Sequence, residues 1–236
     1  DFTRYRPTVV WKENQREFIL PNTVLRVAQR DLEPDLVFLH VLEPHAMGEE
    51  FVESIVGLID TLGIERYCSV GSMYAPVPHT RPLIASGSSN EPAIQADLKA
   101  AGIRGGRYQG PTSVVSMVSQ EAQKRNLGTL SVIMQLPSYS QLGDDYMGQY
   151  ALLRILDHSY GLSLDLERIK RRGERLYARL DEAAKSHAQM EEMIRQLEVA
   201  YDSERTAASE PVGEPALSAE IQQFLHDLEG GAENSS

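Results

Sequence analysis

Cysteine is nearly absent from this chain. Cys68 is the only one among 236 residues, so no internal disulfide can form, which fits a reducing cytoplasm. It sits in the apolar run Tyr67-Cys68-Ser69-Val70, the setting of a buried, inert thiol rather than of a nucleophile. Long apolar runs are missing as well. The longest, Leu36 to Leu42 and Leu130 to Leu136, fall far short of the ~20 residues that span a bilayer, and no charged-then-apolar signal segment opens the chain. The chain therefore reads as cytosolic and soluble, with no membrane partner. Lysine and arginine are scarce relative to acids, 23 against 34, and the net charge of −11 argues against nucleic acid or an anionic membrane surface as the main partner. Much of that charge is local: from Asp202 to Ser236, eight acids and one arginine give −7.

Signatures of chemistry are absent too. There is no phosphate-loop consensus, no Gly-x-Gly-x-x-Gly, no Gly-x-Ser-x-Gly elbow, and no paired His or Cys at metal-ligand spacing. The histidines His40, His45, His79, His158, His187 and His226 are scattered, so neither a metal nor a cofactor is expected. Gly102 to Gly106 with Arg104 and Arg107 could hold a phosphate, and a glycine-rich turn before a strand explains them equally well.

What is present is a pattern of alternating elements in a chain long enough for one sizeable core. Phe18-Ile19-Leu20 reads as a short strand, and Leu36 to Leu42 as a strand buried on both faces, the pattern of a parallel central strand. Ala46 to Leu62 has helical spacing, with Phe51, Ile55, Leu58, Ile59 and Leu62 on one side and Gly63 as a stop. Arg66 to Val70, Pro82 to Ser86 and Leu130 to Leu136 are further strands; Glu91 to Ala101 and Ser113 to Arg125 are further helices. Strands alternating with helices imply crossover units, hence a three-layer α/β/α sandwich with a mainly parallel sheet.

Beyond Gly161 the character changes. Leu162, Leu166, Ile169, Gly173, Leu176, Leu180, Ala183, His187, Met190, Ile194, Leu197 and Tyr201 form a heptad seam. Gly173 and His187 are poor seam residues, and Ser186 with Gln189 makes a capping box, so the spacing predicts either two helices, about 165 to 185 and 187 to 201, in a C-terminal hairpin, or one long helix. The domain plan is then 1–161 for the α/β body, 162–201 for the helical element, and 202–236 for an acidic flexible tail. Within that tail, 217–229 spaces Leu217, Ile221, Phe224, Leu225 and Leu228 for a short amphipathic helix, which must dock on the body, a neighbouring subunit or a partner.

The densest local information lies in Ala75-Pro76-Val77-Pro78-His79-Thr80-Arg81-Pro82. Each proline fixes φ, and Pro82 pushes Arg81 out of the helical region, so His79 and Arg81 project from a pre-set backbone. In parallel α/β sheets, ligands sit outside the carboxyl ends of strands, where Glu43, His45, Pro78, His79, Thr80, Arg81 and Tyr139 all fall. A carboxylate, an imidazole and a guanidinium there suit anion binding or general acid–base work. They suit polar fastening of the loop equally, with Arg81 paired to Glu43 or another acid.

Pro78-His79-Thr80-Arg81-Pro82, following Tyr67-Cys68-Ser69-Val70-Gly71 and with Leu42-Glu43-Pro44 upstream, resembles the proteasome assembly chaperone 2 family. Tyr108-Gln109-Gly110-Pro111 and Leu136-Pro137-Ser138-Tyr139 belong to the same set, in the same order. The opening Asp1-Phe2-Thr3-Arg4-Tyr5-Arg6-Pro7 is similar to the actinobacterial-type branch of that family. The resemblance implies a phosphorylase/hydrolase-like fold, a homo-oligomer, often a trimer, and an N-terminally incomplete chain. It departs from the family pattern at Gly48, where many relatives carry a tryptophan, and at Ser138, where relatives often carry a histidine. It also departs at the end, Glu233-Asn234-Ser235-Ser236, which lacks the hydrophobic-Tyr-x motif of proteasome-docking relatives. Two functions stay open. One is a non-enzymatic, oligomeric protein-interaction factor; the other is a small-molecule-binding protein or a hydrolase/phosphorylase-like enzyme using a strand-end pocket around His79 and Arg81.

Overall fold

Three small sheets and six helices make up the described part of a computed structural model, which covers residues 7–19, 23–31, 34–41, 44, 46–106, 110, 112–140 and 142–209. β1 (Thr8–Lys12) and β2 (Gln15–Ile19) pair antiparallel through Glu13-Asn14, both at positive φ (49° and 62°). A two-residue hairpin needs this left-handed pair to match strand twist. β3 (Val24–Ala28) and β4 (Leu36–His40) form a second antiparallel pair. The third sheet has the order β5-β7-β6, from β5 (Arg66–Ala75), β6 (Ala85–Ser89) and β7 (Gly128–Pro137). β6 runs antiparallel to β7. Gly128 N–H bonds Glu65 C=O at the start of β5 and β7, and Ser138 N–H bonds Ala75 C=O at their ends, so these two run in one direction.

The mainly parallel, phosphorylase/hydrolase-like sandwich is thus corrected: the sheets are small and mostly antiparallel. The reason is connectivity. Alternation of strand and helix fixes a parallel crossover only when one helix intervenes, and two, α2 (Pro92–Ala100) and α3 (Val114–Lys124), separate β6 from β7. β3, which the sequence reading passed over, supplies an antiparallel neighbour for β4, and Val37 and Phe38 of β4 remain exposed rather than buried on both faces.

Two compact units divide the chain. The first takes residues 1–73, 84–135 and 148–166. Its core is helix on helix: Val52, Ile55, Val56 and Ile59 of α1 (Gly48–Leu62) lie at steps of three and four, and meet Val114 and Val118 of α3. Leu39, Phe51, Ile64, Tyr67 and Leu127 pack around them. Leu62, expected on this stripe, is 44% exposed, because Gly63 at φ 61° turns the chain away directly after it. Alternate β7 residues Leu130, Val132 and Met134 are almost wholly buried. α4 (Tyr146–Tyr160) has no counterpart in the sequence reading.

Cys68 is exposed, against the expectation of a buried thiol, since β5 is an edge strand and its Cys68 face stays partly open. Neighbouring atoms still remove enough water to push the thiol up to about 11, with the nearby Tyr160 side chain opposing. Surface exposure sets reagent access; the raised pKa keeps the sulfur protonated.

The second unit takes residues 74–83, 136–147 and 167–236. α5 (Glu167–Lys185) and α6 (Ala188–Ser209) pack on each other across the link Ser186-His187. Ser186 does not form the expected capping box: its Oγ donates back to Ala183 C=O at 2.7 Å, closing α5 instead of opening α6. α6 also continues through Asp202 to Ser209, into the stretch read as linker. The tail helix expected over 217–229 lies outside the described residues.

Candidate functional site

Proline geometry places the loop after β5, and the second unit holds it. Val77 N–H turns back to Ala75 C=O at 2.8 Å, and Val77, Pro78 and His79 are buried. The His79 amide donates to the Tyr139 hydroxyl oxygen at 2.8 Å, and the same oxygen lies 2.6 Å from His79 Nδ1. A hydroxyl oxygen that accepts the amide proton can still either give its own hydrogen to Nδ1 or accept from Nδ1–H, according to the tautomer. In either tautomer Nδ1 is satisfied by this oxygen.

Nε2 sits 3.1 Å from Asp181 Oδ1, within ion-pair distance yet off the line of a hydrogen bond. At that distance the carboxylate favours the protonated ring, against the desolvation that favours the neutral one. Tyr139 and Tyr177 meet the imidazole edge-on, at centroid distances of 5.7 and 5.5 Å. Tyr177 in turn donates to Asp145 Oδ2 at 2.9 Å.

Electrostatics follow from this enclosure. Burial holds the His79 pKa below its usual value, with Asp181 and Glu198 pulling the other way. Burial also raises Tyr139 and Tyr177, Asp145 adding to the latter. All three groups are neutral near pH 7.

α6 captures the rest of the loop. Arg81 grips Asp202 with two bonds, Nε to Oδ1 at 3.1 Å and Nη2 to Oδ2 at 2.9 Å, and its Nη1 reaches Glu198 Oε1 at 3.0 Å. The fork shape of guanidinium makes this two-point grip possible. It raises the Arg81 pKa and lowers that of Asp202, in each case first through their hydrogen bonds. Thr80 Oγ1 donates to Glu198 Oε1, and the Tyr201 hydroxyl donates to Pro82 C=O at 2.8 Å.

Among the residues expected at a site, Pro78, His79, Thr80, Arg81 and Tyr139 come together in this unit, while Glu43 and His45 lie outside the described residues. The sequence reading missed Asp145, Tyr177, Asp181, Glu198, Tyr201 and Asp202, which complete the cluster. Tyr177 with Asp181, and Glu198 with Asp202, stand four apart, so each pair shares a helix face. Such spacing near a proline-fixed arginine was the signal available.

Chemically the arrangement favours fastening over turnover. The His79 side chain is 1% exposed, and an anion approaching Arg81 would face two carboxylates already seated there. Among the described residues, no three of His, Cys, Asp or Glu gather as a metal site. No helix among them is long and apolar enough to cross a membrane.

Solved structures share the fold. A PAC2 family protein from Streptomyces avermitilis is 24% identical, with 80% of this chain and 81% of that one covered and a TM-score of 0.67. A proteasome-assembly chaperone homologue of Mycobacterium tuberculosis is 20% identical, with 82% of each chain covered and a TM-score of 0.70. An archaeal homologue of proteasome-assembly chaperone from Pyrococcus furiosus is 17% identical, with 86% and 80% covered and a TM-score of 0.54. The curated proteins contain no match. The PAC2 family description matches residues 1–184, most of the chain, and the protein belongs to the PAC2 family.

Proposed function

We propose that the protein is a non-enzymatic, oligomeric protein-interaction factor that works through rigid surface segments. One observation carries the reading: the polar groups of His79, Thr80 and Arg81 are turned inward onto α5, α6 and Tyr139, so the loop is fixed in shape without leaving its imidazole open to a substrate. A loop ordered in advance loses little entropy on meeting a partner. Support also comes from the relatives described as proteasome-assembly chaperone homologues. By extension, a proteasome subunit is the partner class to try first.

Homo-oligomerisation, with three copies as the expected number, belongs to the same reading. It is supported by the exposed apolar side chains Phe38 (49%), Val70 (46%), Met73 (50%) and Tyr74 (54%). We also place the chain in the actinobacterial-type branch and in the cytoplasm. The higher TM-scores with the Streptomyces and Mycobacterium structures than with the archaeal one favour that branch.

The test combines cross-linked capture with a thermal-shift screen of nucleosides, phosphate and sugar phosphates. A protein partner captured by the wild type and lost when the loop is loosened by Arg81→Ala supports the proposal. A ligand-specific thermal shift abolished by Arg81→Ala, with no protein captured above background, would overturn it in favour of a small-molecule site.

A further inference from the structure

Arg168, Arg171, Arg172, Arg175 and Arg179 lie along α5, each three or four residues from at least one other, with Arg171 and Arg172 adjacent, and all five are exposed. Like charges at these steps repel, so the stripe works against its own helix. Its position adds to the strain. Arg168, Arg171 and Arg172 stand in the first two turns, where the helix N-terminus already carries partial positive charge, and Glu167 is the single acid in the first turn.

Few of these cations are answered. Glu167 lies 3.8 Å from Arg171, and Arg172 stacks on the Tyr146 ring at 3.8 Å. Arg168, Arg175 and Arg179 pair with no carboxylate among the described residues. In a chain of net charge −11, so concentrated a cationic face needs a counterpart.

The chain carries that counterpart itself. Residues 210–236 hold Glu210, Glu214, Glu220, Asp227, Glu229 and Glu233, with no lysine or arginine. The two-residue link Ser186-His187 and the packing of α5 on α6 make these helices antiparallel, and α6 is the longer of the two, so its end at Ser209 returns towards the N-terminal end of α5, where the arginine stripe begins. The stripe from Arg168 to Arg179 is about 16 Å long at the helical rise, and an extended chain covers that distance in about five residues.

We propose that the arginine face of α5 is a docking surface for an acidic peptide, filled in cis by residues 210–236 of the same chain. Charge complementarity and the exit point of α6 select this occupant. The docking is intramolecular and holds whatever partner the protein takes; an acidic segment of another protein reaching this face must first displace the tail.

Hydrogen exchange on the full chain tests it. At low salt, amides of 217–229 should exchange about tenfold more slowly than at high salt, because docking that rests on charge is screened. The combined substitution Arg168→Glu, Arg175→Glu and Arg179→Glu should abolish that protection, and adding Glu214→Arg, Glu220→Arg and Asp227→Arg should restore it. The tail reversal alone leaves α5 untouched, so it reads the docking even if the α5 reversal impairs folding. Exchange over 217–229 that ignores salt and both reversals overturns the proposal. Protection that grows with protein concentration overturns it in favour of a second copy. Tight binding of a short DNA duplex to the wild-type chain at low salt overturns it in favour of a polyphosphate partner.

Discussion

His79 and Gly173 carry the residue-scale consequences. The His79 pKa is depressed by burial, so the folded protein binds its proton less readily than the unfolded chain does. Its contribution to stability is complete above the unfolded value near 6.5 and is lost as pH falls from there through the folded value. The melting temperature should therefore drop on acidification below about pH 6.5, and His79→Gln should flatten that slope; identical slopes in the two proteins would remove His79 from the explanation. Gly173 faces a different constraint. A Cβ there would stand 2.8 Å from Met147 N and 2.9 Å from Met147 Cα, backbone atoms with no rotamer to retreat into. Gly173→Ala should cost about 1–3 kcal/mol in a denaturant titration despite the better helix propensity of alanine. A neutral or stabilising result would mean that α5 can shift freely at this point. Cys68 offers a simpler check: exposed yet held at about 11, it should react with iodoacetamide slowly at neutral pH and faster as pH rises.

Elements were legible where their apolar period was strong, and opaque where contacts distant in sequence decide. Apart from the burial pattern, α1, α2, α3 and β7 occupy nearly the ranges that spacing and glycine punctuation indicate. β3 and α4 escaped because Arg26 interrupts the one and polar residues the other. Strand direction was out of reach, since it depends on which edge a returning chain meets rather than on side-chain alternation. The loop cluster divided along the same line. His79 and Arg81 stood out through their prolines, whereas their partners Asp181, Glu198 and Asp202 lie more than 100 residues further on and look like any solvated helix acids. Because those partners sit on α5 and α6, Arg81→Ala should release the loop locally. Residues 78–83 should then exchange amide hydrogens faster, and high salt should narrow the difference from wild type, the ion pairs being partly exposed. Unchanged exchange would show that the prolines alone hold the loop.

At the scale of the whole molecule, exposed apolar strand residues set the expectation. Phe18 (64%), Phe38 (49%) and Tyr74 (54%) are costly to leave in water, and association is the ordinary remedy. Light scattering at micromolar concentration should give a mass that is a multiple of 26.3 kDa, with three copies expected. A monomer would refute assembly and leave those side chains for a foreign partner.

The two-point grip of Arg81 on Asp202, beside Glu198, also makes helix phase a conserved quantity. One residue inserted into α6 ahead of Glu198 would turn both carboxylates by about 100° while leaving composition and charge almost unchanged. Insertions and deletions between His187 and Glu198 should therefore be rejected by selection even where single substitutions pass freely, so that α6 drifts in lettering while its length up to Glu198 stays frozen.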